Sequence, residues 1–140
     1  MSASAPSSSS SRPLSFLAFD FGTRRTGVAS GNTLTGSATP LKTIAAEGDA
    51  RFAAIGKLIA EWQPDALVVG VPYHPDGTPH DNTRRAQRFA RQLHGRFRLT
   101  VHEVDERYTS VDAEAAGAAD VDAASAALIL EQFLRTLQEP

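Results

Sequence analysis

The chain has no cysteine, and this absence excludes several kinds of site at once. A disulfide framework, a thiolate nucleophile and a thiolate-bound zinc ion all require cysteine sulfur. The sequence also lacks any apolar run near the roughly 18 residues of a membrane-spanning helix, and it shows no signal-peptide pattern at its start. We therefore expect a cytoplasmic protein with no membrane association.

A basic excess is lacking too, because the net charge is −2, whereas most nucleic-acid-binding proteins are basic. The charges are nevertheless segregated along the chain. Six of the 14 basic residues lie in the acid-free stretch 84–98, and seven of the 16 acidic residues lie in 103–122. This separation is typical of proteins in which carboxylates bind cations while a separate basic surface binds phosphates.

The length of 140 residues suits one domain with its own core. Residues 1–13 are rich in serine and have too little apolar surface to offset the entropy lost on ordering. We therefore expect a disordered tail over 1–13 and a single domain over 14–140.

The hydrophobic pattern predicts the element order β-β-β-α-β-α-β-α. Strands are predicted at 16–21, 28–30, 35–44, 66–71 and 99–104, with Gly31-Asn32 in the turn of a hairpin. Helices are predicted after Asp49, after the loop 72–82 and after Asp120, with both aspartates as N-caps. The continuously apolar run 66–71 indicates a strand buried on both faces of a sheet. We expect an α/β fold with a five-stranded mixed sheet, an antiparallel hairpin on one side and parallel strands in the centre, flanked by helices.

Three carboxylates are the strongest candidates for chemistry. Asp20 ends the first predicted strand, Glu106 follows the last one, and Asp122 leads the inward side of the final helix. In open α/β sheets, ligands bind beyond the carboxyl ends of the strands. Clustered carboxylates repel one another, and Mg²⁺ or Mn²⁺ is the usual relief for an all-oxygen ligand set. Each acid could instead have a structural role only. Asp20 could form a turn, Glu106 could belong to a loop with an ion pair, and Asp122 could interact favourably with the helix dipole.

Basic residues flank the predicted crevice and line one helix face. The first group can hold the scissile phosphate, and it comprises Arg24, Arg25 and Arg107. The second group can follow a phosphate backbone, and it comprises Arg84, Arg88 and Arg91. The alternatives are a solvated helix face for the second group and an ion pair with Asp105 for Arg107. His74 and His80 lie near the same sheet edge, but we do not expect either to transfer protons.

Four motifs, in order, resemble those of the YqgF family, also called RuvX. They are Asp20-Phe-Gly-Thr-Arg-Arg-Thr-Gly-Val-Ala29, Val69-Gly-Val-Pro72 followed by Asp76-Gly-Thr78, Asp105-Glu-Arg-Tyr-Thr-Ser110, and Val121-Asp-Ala-Ala with Ala126-Ala-Leu-Ile-Leu130. The match covers residues 14–137. It departs from the family pattern at Arg24, where lysine is usual, and at Thr26, where an aliphatic residue is usual.

The resemblance implies a ribonuclease H-like fold with Asp20, Glu106 and Asp122 in the catalytic positions of the family. It implies a nuclease that uses two Mg²⁺ or Mn²⁺ ions, leaves a 3′-hydroxyl and a 5′-phosphate, and processes the 5′ end of pre-16S rRNA in ribosome biogenesis. Members were formerly described as Holliday junction resolvases. We expect a nucleic-acid partner and a monomer or weak homodimer.

Three alternatives stay open at this stage. A resolvase that cuts branched DNA acts as a symmetric dimer, so that two strands are cut together. The stretch Asp20-Phe-Gly-Thr23 also resembles the phosphate loop of actin-like kinases and ATPases, which need a second domain that this length does not provide. The third alternative is a non-catalytic RNA-binding or assembly module on the same fold.

Overall fold

The computed structural model describes residues 12–106 and 120–138. Its strands are β1 (Ser15–Phe21), β2 (Thr26–Asn32), β3 (Ala38–Ile44), β4 (Ala66–Val71) and β5 (Val101–Asp105). Its helices are α1 (Gly48–Trp62), α2 (Asp81–Phe97) and α3 (Val121–Gln138). The element order confirms the prediction. Residues 1–11 lie outside the described residues, so the disordered tail stays a prediction; Arg12 pairs with Asp65 at 2.9 Å.

The five strands form one mixed sheet in the order β3-β2-β1-β4-β5. β1, β2 and β3 are antiparallel neighbours, whereas β1, β4 and β5 run parallel. This arrangement confirms the predicted hairpin side and parallel side, with β1 at the centre. It also places β4 between β1 and β5, the two strands that carry the candidate carboxylates.

The two faces of the sheet pack against different helices because side chains alternate along each strand. Leu17 and Phe19 of β1 belong to a core cluster with residues of α1 and α2. Phe16 and Ala18 belong to a second cluster with residues of α3. Asp20 continues the second series, so its side chain lies on the α3 face, at the carboxyl end of the central strand.

The hairpin turn differs from its prediction. Gly31 and Asn32 lie within β2, and the turn follows them, with the backbone N–H of Thr35 donating to Asn32 Oδ1 at 3.0 Å. Gly31 serves a close approach instead, because a Cβ there would lie 2.9 Å from Leu130 Cδ2 of α3. The glycine that marked a turn in the sequence therefore marks helix packing in the fold.

One of the two predicted N-caps is wrong and the other is confirmed. α1 begins at Gly48 after Glu47, which makes no side-chain cap hydrogen bond, and Asp49 lies in the first turn of the helix. At α3, Asp120 Oδ1 accepts from the backbone N–H of Ala123 at 3.1 Å, as an N-cap does. Within the described residues, no helix combines the length and apolar character needed to cross a membrane.

Candidate active site

Asp20 lies in a row across the sheet in which both of its neighbours are glycines. The strand register pairs it with Gly27 of β2 and with Gly70 of β4. A Cβ on Gly27 would lie only 1.9 Å from the backbone oxygen of Asp122. The absence of a side chain at Gly27 therefore lets the first turn of α3 rest directly on β2, and it brings Asp122 towards Asp20.

Gly70, the neighbour of Asp20 on β4, leaves space for the side chain of Glu106. A Cβ on Gly70 would lie 3.3 Å from Glu106 Oε2 and 2.3 Å from Ile129 Cδ1. Glu106 follows β5, which is not a neighbour of β1, so its side chain reaches Asp20 across β4. The two carboxyls converge because the intervening strand has no side chain at this position.

Asp20 and Glu106 form a hydrogen-bonded carboxyl pair. Burial raises the pKa of Asp20 to about 6; the hydrogen bond with Glu106 opposes this shift, and the charge of Asp122 adds to it. Burial also raises the pKa of Glu106 to about 8, helped by the charge of Asp20, by their hydrogen bond and by Asp105. Two carboxyls in contact share one proton. Glu106 holds this proton because its pKa is higher, and it donates the hydrogen bond to Asp20.

Asp122 lies beside this pair but is engaged elsewhere. Its Oδ2 accepts from Arg25 Nε at 3.1 Å, and both side chains are partly exposed. Among residues 12–106 and 120–138, no three His, Asp or Glu side chains are close enough together to hold a metal ion. The structure thus joins two of the three candidate carboxylates, and a metal site of all three stays a prediction.

The loop after β1 carries two of the candidate arginines. Gly22, Thr23, Arg24 and Arg25 line a groove of about 470 Å³ together with Asp122. The loop is closed by a hydrogen bond from the N–H of Gly22 to the carbonyl of Arg25 at 2.8 Å. Arg24 and Arg25 are exposed next to the acidic site, where a phosphate can reach them. Arg107 lies outside the described residues.

The three candidate arginines of α2 are exposed but do not share one environment. Arg84 pairs with Asp81 at 3.5 Å on the open surface. Arg88 lines a groove between α1 and α2, whereas Arg91 does not. Their contact with nucleic acid stays a prediction.

Sequence reasoning missed three residues that build this site. Gly27 and Gly70 interrupt strand patterns, and a glycine inside a strand is a known sign of close backbone approach. Arg51 gives no comparable signal, because a single arginine on a helix is ordinarily a solvated surface residue. It is buried, and its Nη2 donates to the carbonyls of Gly22 and Thr23 at 2.9 and 2.7 Å, which holds the loop after β1 in place.

The family model of RuvX, described as Holliday junction resolvase, matches residues 14–136. The chain belongs to the RuvX family. This membership confirms the resemblance carried by the four motifs. It also places the chain in a family of nucleases, which are hydrolases acting on ester bonds.

Relatives of this RuvX chain cover it almost end to end. A protein of a Polaromonas species is 70% identical over 87% of this chain and 88% of its own length. A protein of Paraburkholderia phytofirmans is 53% identical over 91% of this chain and 92% of its own length. Both carry the name "Putative pre-16S rRNA nuclease".

Solved structures of RuvC share the fold. Thermus thermophilus RuvC in complex with a Holliday junction substrate matches with a TM-score of 0.57 and 13% identity, over 89% of this chain and 96% of that chain. A second Thermus thermophilus RuvC structure matches with a TM-score of 0.55 and 10% identity over the same shares. This likeness confirms the ribonuclease H-like architecture.

Proposed function

We propose that this RuvX protein hydrolyses phosphodiester bonds in RNA and that its substrate is the precursor of 16S rRNA, which it processes at the 5′ end. The observation that carries the proposal is the half-buried, hydrogen-bonded pair of Asp20 and Glu106 at the carboxyl edge of the sheet. The substrate follows from the name shared by the two relatives that cover most of the chain.

The donor set of the site fits a divalent cation. Asp20 and Glu106 offer only carboxylate oxygens, which suit Mg²⁺ and Mn²⁺. Burial raises the pKa of both carboxyls; the charge of Asp122 adds to the shift at Asp20, and the charge of Asp20 adds to the shift at Glu106. A cation in place of the shared proton relieves both the burial of charge and this repulsion. We propose that these two residues, with Asp122, hold two such ions. When bound, the ions lower the pKa of water and offset charge on the reacting phosphate.

The arginines of the loop after β1 bind the phosphate in this proposal. Arg25 already contacts a carboxylate oxygen of Asp122 through Nε, and a phosphate oxygen offers it a similar acceptor. Arg24 adds a second guanidinium on the same groove. Their task is to orient the scissile bond towards Asp20 and to stabilise the charge that grows on phosphorus-bound oxygen. The products are a 3′-hydroxyl and a 5′-phosphate.

The test compares substrates under matched conditions. The purified chain is incubated with end-labelled precursor 16S rRNA, single-stranded RNA and four-way junction DNA, with Mg²⁺, with Mn²⁺ or with a chelator. Asp20→Asn removes one charge of the pair, and Glu61→Gln removes one exposed acid of α1 as a matched control. We expect metal-dependent cleavage of the precursor by the parent and by Glu61→Gln, and none by Asp20→Asn. Cleavage that survives the chelator, or equal cleavage by Asp20→Asn, contradicts the proposal.

Cutting of branched DNA is the second candidate function, because the RuvX family is also described as Holliday junction resolvase. A junction cutter needs a symmetric dimer, whereas RNA processing is compatible with the monomer or weak homodimer that we propose. Preferential cutting of the junction by a stable dimer would favour this second function. Preferential cutting of precursor RNA by a monomer would exclude it.

We propose that the protein works in the cytoplasm on assembling ribosomes. The Asp20→Asn variant also distinguishes a nuclease from a non-catalytic RNA-binding or assembly module. Cells that carry Asp20→Asn in place of the parent gene should accumulate unprocessed 16S precursor. Normal 16S rRNA in those cells would indicate a binding module rather than a nuclease.

A further inference from the structure

A second groove, of about 340 Å³, lies between the start of α1 and the side of α2. It is on the sheet face opposite the Asp20–Glu106 pair, because Phe21, which lines it, follows Asp20 and points the other way. Its lining combines aromatic rings with four arginines: Phe21, Phe52, Phe89, Arg51, Arg85, Arg88 and Arg96.

Arg51 supplies a buried positive charge to this groove. It is 5% exposed, and its guanidinium lies 4.6 Å from the ring centre of Phe21. Nε donates to the carbonyl of Ala46 at 3.1 Å, and Nη2 donates to the carbonyls of the loop after β1. Within the described part of the chain, Nη1 has no hydrogen-bond acceptor and no carboxylate forms an ion pair with Arg51. The charge of Glu47, which lies beyond ion-pair distance, only partly offsets the burial that lowers the pKa of Arg51, so an anion in the groove would stabilise the guanidinium further.

The rim of the groove is positive as well. Its one acidic residue, Asp49, pairs with Arg96 at 3.3 Å, which leaves Arg85 and Arg88 to set the sign of the surface. Arg85 donates to the neutral side chain of Asn82 at 3.2 Å. The first turn of α1 adds the positive end of a helix dipole. The charge of the groove therefore complements a chain of phosphates.

The groove offers more than one position to a phosphate. Arg85 and Arg88 lie on successive turns of α2, roughly 4.5 Å apart along the axis at 1.5 Å per residue, and Arg51 lies at the floor. The groove also begins one residue from Asp20, since Phe21 is the next residue of β1. A strand that leaves the carboxyl pair over the end of β1 enters it directly.

We propose that the groove between α1 and α2 binds the backbone phosphates of single-stranded RNA that flanks the scissile bond. This inference rests on the proposed function for the identity of the polymer. Arg85 and Arg88 contact phosphates at the rim, and Arg51 provides Nη1 at the floor while it holds the loop after β1. Because Arg51 contacts both the groove and the loop after β1, RNA binding in the groove affects the position of Arg24 and Arg25.

The test measures binding without cleavage. Full-length Asp20→Asn protein is titrated into fluorescein-labelled single-stranded RNA, and anisotropy is followed over a series of KCl concentrations. Into this background we introduce Arg85→Gln with Arg88→Gln, which removes two charges from the rim. Lys57→Gln with Arg135→Gln removes two exposed charges from α1 and α3, outside the groove, and is the matched comparison. All four side chains are exposed, so both variants should fold.

We expect the rim variant to bind RNA at least about tenfold more weakly, because each of its two substitutions removes charge-assisted hydrogen bonds to phosphate. We also expect the slope of log K against log salt to become shallower by about 1.4, because each of the two lost phosphate contacts contributes about 0.7 on a single strand. The matched comparison should lose clearly less affinity. Equal losses in the two variants, an unchanged rim variant, or no RNA binding by the background protein would each overturn the groove proposal. Cleavage by the protein with intact Asp20 is scored separately, so failure of the proposed function is distinguishable.

Discussion

At the scale of single residues, the site depends on what Gly70 lacks. The side chain of Glu106 crosses β4 at this glycine to reach Asp20. A methyl group there would meet Glu106 Oε2 at 3.3 Å and Ile129 Cδ1 at 2.3 Å, so both side chains would have to shift. The residue has no chemistry of its own, and it acts as a positioning residue for the carboxyl pair.

Gly70→Ala should therefore lower cleavage strongly and stability moderately. Overpacking of this kind costs about 1–3 kcal/mol of unfolding free energy. Gly95→Ala is the matched control, because no atom lies within 4 Å of the added methyl and the helix gains a better helix former. Urea unfolding and initial cleavage rates measure both effects. Full activity in Gly70→Ala would show that Glu106 does not need this path.

The carboxyl pair also makes a prediction about pH. The folded-state pKa of Glu106 is raised to about 8 from 4.5, so between these values the cation-free folded protein holds a proton that the unfolded chain has lost. Stability of the cation-free protein therefore decreases as pH rises through this window. Glu106→Gln keeps a hydrogen-bond donor for Asp20 but cannot titrate.

Thermal unfolding in a chelator should thus show a lower Tm for the parent at pH 8 than at pH 5. The Glu106→Gln variant should show a smaller difference between the two values. The idea fails if both proteins show the same dependence on pH.

At the scale of elements, α3 is placed by its N-terminal cap. Asp120 accepts from the backbone N–H of Ala123 and from the hydroxyl of Thr43 on β3, and these bonds lower its pKa. The cap therefore joins the start of α3 to the sheet beside Asp122. A helix that begins at a defined point brings its first carboxylate to a defined place.

Asp120→Ala should cost about 1 kcal/mol of unfolding free energy through the lost cap, and more if the bond to Thr43 contributes. Asp120→Asn should retain most of the stability, since asparagine also caps helices. Chemical denaturation of the three proteins measures this. Equal losses in the alanine and asparagine variants would point to the charge, not to the cap.

The strands and helices were predictable because each carries its own periodicity. The buried run Ala66–Val71 and the amphipathic pattern of α2 needed no tertiary information. The hairpin turn was misplaced because glycine is a typical turn residue, whereas Gly31 lies in β2 and allows α3 to pack closely against it. A local pattern cannot distinguish a glycine that bends the chain from one that admits a neighbouring helix.

At the scale of the whole molecule, cation binding should stabilise the fold. A ligand that binds only the folded state adds about 2.7 kcal/mol at a concentration 100 times its Kd. We expect Mg²⁺ or Mn²⁺ to raise the Tm of the parent in a concentration-dependent way at pH 8, where the pair loses its shared proton. Asp20→Asn should show little change. The same rise in both proteins would place the cation away from the carboxyl pair.

The sequence by itself determined the element order, the mixed sheet and the family, because these depend on local periodicity and on motifs that are contiguous in the chain. It made Asp20 and Glu106 candidates through their positions at strand ends. It also identified Asp120 as a cap, since capping is a local interaction.

Only the tertiary structure decided which side chains meet. Strand order puts β4 between the carboxylates, and Gly70 then lets them converge. Helix packing on Gly27 brings Asp122 close to Asp20, and in the structure Asp122 forms an ion pair with Arg25. The contribution of Arg51 could be recognised only from its burial in the folded structure. These contacts join residues distant in the chain, and their energies depend on distance and burial, which no local pattern encodes.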